Sequence, residues 1–164
     1  MITENVVSRT FHIRFGDDTG TAFAIDHKGR RYLVTSRHVV EGVETGDAIA
    51  MWRDETWQDF EAVVVGIRNG DNDVAVISCP MSLGFRLPLE ASADQLGYGQ
   101  QVYFVGFPFG WDSRSESANF DFPMPFVKSG IVSAIWCDYP VHIFVDAHSN
   151  KGFCGGPLVF AEYD

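Results

Sequence analysis

The sequence predicts an all-β, antiparallel protein organised as two units, and three observations carry that expectation. Helical periodicity is scarce along the whole chain. Short apolar or alternating runs dominate instead, separated by Gly, Asp, Asn and Pro. The runs fall into two groups, about six before residue 80 and about four after residue 100, on either side of a stretch that reads as a connection.

In order, "TFHIRF" places Phe11, Ile13 and Phe15 on one face of a strand and His12 and Arg14 on the other, outward face. "GDDTG" turns the chain into "TAFAI", and "DHKGR" turns it again into "RYLVTS". "DAIAMWR", "FEAVVVGI" and "DVAVISC" complete a first unit over residues 1–79, with enough strands to curl into a small closed barrel. Residues 80–99, rich in Pro, Gly and small polar side chains, form the linker. Strands resume at "QVYFVGF", "FVKSGIVSAIW", "VHIFVDA" and "PLVF" in a second unit, 100–164. The Ser-rich insert at 111–124 reads as a mobile surface loop. About four strands are fewer than the six that a barrel matching the first would need, so the second barrel is expected to be truncated at the C-terminus and completed by further polypeptide or a second chain.

With 164 residues, 46% of them apolar and 14% aromatic, the chain is expected to fold around a substantial core. A net charge of -10 and no Lys/Arg cluster argue against nucleic acid and anionic membrane surfaces as partners. The start of the chain lacks the basic and apolar regions of a signal peptide, and no segment reaches the length of a membrane span. Three widely spaced cysteines without a CxxC pair weigh against a disulfide framework, a zinc site or any other metal or cofactor centre. Together these features predict a soluble protein of a reducing compartment, the cytoplasm.

Three positions can carry chemistry. His38 lies in "YLVTSRHVVEG", where a strand enters a short helical turn; Asp73 lies in "GDNDVAVIS", directly before a buried strand; Cys154 lies in "GFCGGP". A histidine can take the proton of a thiol and return it to a leaving group, and an acid behind it fixes its tautomer. An adjacent imidazolium favours the thiolate, the reactive species. Gly152 frees the backbone to point its N–H, with that of Cys154, into an oxyanion hole, while Gly155 and Gly156 leave room for close approach. Asp71 competes with Asp73 for the acidic role, but the apolar run starts directly after Asp73, and Asp71 suits the turn. Cys79 and Cys137 are expected to be buried and inert. His12, His27 and His142 read as surface or turn residues, and "FPFG" at 107–110 as a turn and packing element.

The order His, Asp, nucleophile, together with "GTAFAI", "VTSRHVV", "NDVAVI", "VGFPFG", "KSGIVSAI" and "DAHSNKGFCGGPLV", resembles the trypsin-like (chymotrypsin-fold) peptidases, most closely those of bacterial Deg/HtrA type. The resemblance implies two perpendicular six-stranded barrels with the active site between them. His38 and Asp73 would come from the first barrel and Cys154, with the Gly152 and Cys154 amides, from the second. It further implies that His148 lies at the base of the pocket for the substrate side chain preceding the cut. Phe153 stands where digestive relatives carry an aspartate that pairs with a new N-terminus, so activation by N-terminal trimming is not expected. The family usually has serine where this chain has Cys154, which leaves two forms open: a thiol peptidase like viral members of the fold, or a Ser-to-Cys form of a serine peptidase. The implied activity is that of an endopeptidase acting on protein or peptide substrates by acyl transfer. The alternative is a catalytically inactive module that holds peptides or partner proteins in the same cleft. Cleavage of its own polyprotein, as in viral members, fits less well with the bacterial style of "VTSRHVV" and "KSGIVSAI".

Overall fold

The computed structural model describes residues 2–68, 72–78, 87–89, 91–113, 119 and 121–161. A one-turn helix (Glu4–Val7) precedes strands β1 (Thr10–Phe15), β2 (Asp18–His27) and β3 (Arg30–Thr35), then a 3-10 turn (Arg37–Val40). Strands β4 (Ala48–Arg53), β5 (Thr56–Glu61), β6 (Val63–Ile67) and β7 (Ala75–Ser78) complete a seven-stranded antiparallel sheet of order β5-β4-β1-β2-β3-β7-β6. Strands β8 (Gln101–Gly106), β9 (Phe126–Trp136), β10 (His142–Asp146) and β11 (Leu158–Val159) form a second antiparallel sheet, β10-β9-β8-β11. The predicted all-β, antiparallel class is therefore the one observed, with the strands divided between two sheets.

The run "FEAVVVGI" is not one continuous ladder. β5 and β6 sit at opposite ends of the sheet order, yet only Ala62 separates them in the chain. The Ala62 amide donates to Asp47 O (2.7 Å) and its carbonyl accepts from Gly46 N (2.9 Å), so the strand leaves one partner and turns toward another at this buried residue. One bent strand thus joins the two edges of the sheet covalently and curls it around its core. That core contains Phe11, Ile13, Leu33, Ile49, Met51 and Ile77, contributed by alternating positions of β1, β3, β4 and β7.

Three expectations are corrected. His12 does not face outward; it is only 6% exposed, stacked on Phe107 (centroids 5.1 Å) and edge-on to Trp57 (4.9 Å). The outer face of β1 is where the 107–110 turn of the second unit docks, so both faces of this strand are covered. The 111–124 insert is likewise more than a surface loop, because Asn119 is buried and Phe122 packs edge-on against Phe11 at 5.0 Å. Asp54 N donates to Asp121 O (2.8 Å), which ties this segment to the β4–β5 turn. Cys137 is exposed rather than buried, at the end of β9. Cys79, Asp71 and most of the first half of the 80–99 linker lie outside the described residues.

Candidate active site

Strand β3 delivers His38. After Thr35 the chain extends through Ser36 and enters the 3-10 turn, whose Val39 and Val40 are buried in the first core. That burial rolls the turn so that His38 stays outside. Strand β7 delivers Asp73 by register: Thr35 pairs with Ala75, so two residues further on in antiparallel sense Arg37 meets Asp73, and Arg37 N donates to Asp73 O at 3.3 Å. Asp73 then uses both carboxylate oxygens on the next residue. Its Oδ1 accepts from the His38 amide (2.9 Å), and its Oδ2 is hydrogen-bonded to His38 Nδ1.

Partial burial pushes the Asp73 carboxyl upward, but the His38 amide, the His38 imidazole and the Ser36 hydroxyl outweigh it, and the net shift is below the usual carboxylate range. An ionised carboxylate can only accept, so the bond to Oδ2 requires the proton on Nδ1 and leaves Nε2 of neutral His38 as a bare acceptor. His38 is 50% exposed and Asp73 41%, so this nitrogen is reachable from solvent.

Cys154 sits on the turn between β10 and β11, half-buried, as a free thiol packed against the first core. Four successive carbonyls of that turn are each occupied. Lys151 O accepts from Phe109 N (2.7 Å), Phe153 O from Gly156 N (2.9 Å), and Cys154 O from Thr21 N (3.0 Å). Gly152 O accepts from the Thr21 hydroxyl at 2.7 Å. Of the amides between them, Phe153 N donates to Asn150 O (3.3 Å), whereas among the described residues those of Gly152 and Cys154 have no hydrogen-bond acceptor. In a trans peptide the N–H points opposite to the preceding carbonyl, so anchoring Lys151 O on Phe109 turns the Gly152 N–H away from the 107–110 turn. Gly152 itself adopts φ +102, and a methyl group there would come within 2.9 Å of Phe109 N.

The Cys154 turn and the His38 turn meet through their backbones. A methyl group on Gly155 would lie 2.7 Å from Ser36 N, and one on Gly20 would lie 2.6 Å from Val39 and 3.2 Å from Cys154 O. Cys154 is therefore held beside the residues flanking His38, although among the described residues no hydrogen bond joins the thiol to the imidazole. His148 is exposed at the edge of this region; Lys128 Nζ holds its carbonyl and also Asn150 Oδ1 (2.8 Å). Within 107–110, Phe107 and Pro108 pack inside as expected, while Phe109 is exposed and carries the amide that fixes Lys151.

Thr21 is the residue that sequence reasoning missed. It was legible only as part of an apolar strand, yet it is fully buried and its hydroxyl also accepts from Phe107 N at 3.1 Å. Its carbonyl accepts from the Thr35 hydroxyl (2.8 Å), three residues before His38. The one available signal was a hydroxyl residue between Gly20 and Ala22 at the head of an apolar run.

Comparisons with known proteins fit this arrangement. The family model described as a trypsin-like peptidase domain matches residues 20–163. The chain is 34% identical over 148 residues to Protease Do-like 1, chloroplastic, of Arabidopsis thaliana, covering 86% of this chain and 30% of that protein. It is 30% identical over 146 residues to a probable periplasmic serine endoprotease DegP-like of Marinomonas sp. (strain MWYL1), covering 85% of this chain and 26% of that protein. The chain thus spans less than a third of the length of these curated relatives. Among solved structures, Deg5 superposes with a TM-score of 0.66 at 24% identity, over 96% of this chain and 76% of that one. The HtrA-type protease AlgW with a tripeptide gives 0.63 at 25%, over 97% and 51%. With a fold, a family model and two relatives in agreement, the chain belongs to the trypsin-like peptidase family, close to the Deg/HtrA proteases.

Proposed function

We propose that this chain is an endopeptidase that cleaves peptide bonds by acyl transfer, with Cys154 as nucleophile, His38 as general base and acid, and Asp73 orienting His38. The observation that carries the proposal is the pairing of unoccupied groups. Among the described residues Nε2 of His38 has no hydrogen-bond partner, and the Gly152 and Cys154 amides on either side of Phe153 N have no acceptor.

The steps follow from those groups. The Cys154 sulfur attacks the peptide carbonyl carbon as its proton passes to His38 Nε2. The carbonyl oxygen becomes an oxyanion and accepts from the Gly152 and Cys154 amides. Collapse breaks the C–N bond, and imidazolium His38 returns the proton to the departing amine. Water, deprotonated by His38, then attacks the thioester, releasing a carboxylic acid and the free thiol. The resting thiol is a weak hydrogen-bond donor, and catalytic contacts often tighten only with substrate, so the unbonded Cys154–His38 pair is compatible with this sequence of steps. His148 is assigned to the pocket for the residue preceding the cut, where an imidazole suits an acidic or amide side chain. Substrates are proteins or peptides, and the three cysteines suit a reducing, cytoplasmic setting.

The same unbonded pair favours a second reading, a binding module that holds peptides without cutting them. A peptide electrophile separates the two. It should label Cys154 in preference to exposed Cys137, and His38→Ala should abolish that labelling while leaving iodoacetamide modification of Cys137 unchanged. Labelling that falls on Cys79 or Cys137 instead, or that survives His38→Ala, refutes the catalytic assignment. Tight peptide binding without turnover, even after Cys154→Ser, supports the binding module; strong hydrolysis by Cys154→Ser would identify a Ser-to-Cys form of a serine peptidase.

A further inference from the structure

We propose that Thr21 is the positioning residue for the oxyanion-binding turn: from a strand of the other sheet it holds the peptide planes that flank those carrying the Gly152 and Cys154 amides. This inference rests on the endopeptidase reading for its catalytic consequence, but not for its geometry.

A peptide plane is fixed when either of its polar groups is held, because its carbonyl and N–H are locked antiparallel. Of the four planes from 151–152 to 154–155, Thr21 holds two from outside the turn: the Gly152 carbonyl by its hydroxyl (2.7 Å) and the Cys154 carbonyl by its amide (3.0 Å). Those two planes bracket the peptide that carries the Cys154 N–H. The third external tie, Phe109 N to Lys151 O, comes from the 107–110 turn. Thr21 reaches that turn as well, since its hydroxyl accepts from Phe107 N while donating to Gly152 O. One hydroxyl therefore joins both segments that aim the Gly152 N–H. Through its carbonyl Thr21 also receives the Thr35 hydroxyl, so the strand leading to His38 is indexed to the same residue.

The side chain is held in its turn. Thr21 pairs with His12 across β1 and β2, His12 stacks on Phe107, and a methyl on Gly156 would sit 3.2 Å from Thr21 Cγ2. A buried hydroxyl with both hydrogen-bonding directions used and its methyl packed has little freedom to rotate. Preorganised donors of this kind lose their value when their planes are free to swing.

The variants are Thr21→Val, which keeps the branched shape and removes the hydroxyl, and Thr21→Ser, which keeps the hydroxyl and removes the methyl. In amide NMR spectra of the folded chain, Thr21→Val should move or multiply the Gly152, Phe153 and Cys154 resonances, and Thr21→Ser should leave them near their original positions. In peptide hydrolysis, Thr21→Val should lower kcat by about 10- to 100-fold with KM little changed, the signature of a lost transition-state contact, and Thr21→Ser should restore it to within a few-fold. If Thr21→Val does not fold, Thr21→Ala, which also lacks the hydroxyl but crowds nothing, takes its place. The proposal is overturned if the Val or Ala spectrum matches the wild type across 150–156, or if Thr21→Ser perturbs that turn as much as Thr21→Val. A wild-type chain without turnover would remove the endopeptidase reading, and the spectra would still decide the positioning role.

Discussion

A methyl group at Gly155 tests the placement of the Cys154 turn against the first sheet. Gly155 has φ +83, and its added Cβ would fall well inside van der Waals contact of Thr21 O while lying 2.7 Å from Ser36 N. Two costs therefore add. The left-handed backbone costs an alanine about 1 kcal/mol, and forcing a carbon into backbone atoms of β2 and of the residue that follows β3 costs about 2 kcal/mol more. Gly29 separates the two costs, because it has φ +74 in the β2–β3 turn with nothing within 4 Å of an added Cβ. For a domain of this size 1 kcal/mol moves Tm by about 2–4 °C. Thermal unfolding followed by circular dichroism should thus show Gly29→Ala lower by about 2–4 °C and Gly155→Ala lower by about 6–12 °C. The larger variant should also lose reaction with the peptide electrophile, since relief of the overlap moves Cys154 away from Ser36. Equal shifts for the two variants, or a Gly155→Ala chain that still reacts at the wild-type rate, would refute the docking of this turn on Thr21 and Ser36.

Asp73→Asn should leave the fold intact and lower turnover by about 10³- to 10⁴-fold, because an amide no longer demands the proton on Nδ1 of His38; peptide hydrolysis at neutral pH measures it, and a change below tenfold would contradict the tautomer assignment. His12 predicts a pH dependence of stability. Burial holds its pKa down to about 4, with Asp112 opposing, against an ordinary value of 6.5. The unfolded chain then binds more protons between those values, so stability is complete above pH 6.5 and falls as pH drops toward 4. Between pH 7 and pH 5 this group contributes a loss of about 2 kcal/mol. Urea unfolding at the two pH values should show that loss, and His12→Phe, which keeps the stack on Phe107, should shrink it; an unchanged difference would mean that His12 is not buried as a neutral ring.

The strands were legible because their apolar alternation is local, and all the sequence-predicted runs became strands. The bend at Ala62 was not, because the run "FEAVVVGI" carries no Gly or Pro at the corner; the change of partner is decided by Asp47, whose carbonyl accepts from the Ala62 amide, and by Gly46, whose amide donates to the Ala62 carbonyl. His12 failed for a related reason. Alternation in "TFHIRF" reports two faces but cannot say that the second is also covered, and Phe107, which covers it, lies 95 residues further along. His38 and Asp73 were readable because each sits at the end of an apolar strand and the β3–β7 register does the rest. Thr21 was not, since its hydroxyl finds Gly152 across 131 residues.

The glycine frame around Cys154 has two causes that coincide in the structure. On sequence grounds Gly155 and Gly156 leave space for an approaching backbone, and the backbones that approach are the chain's own, at Thr21 and Val105. Close docking brings carbonyls of the turn within reach of donors on a rigid strand, and each carbonyl so held aims an N–H in the opposite direction. A bulkier residue at either position would hold the turn off that strand, and the carbonyls would then turn to water or to one another. The packing that makes glycine necessary is therefore also what fixes the two peptide planes, those of the Phe153 and Gly155 N–H groups, on either side of the one that carries the Cys154 N–H. This is why a motif recognised by its chemistry is, at the level of atoms, first a requirement for contact between two sheets.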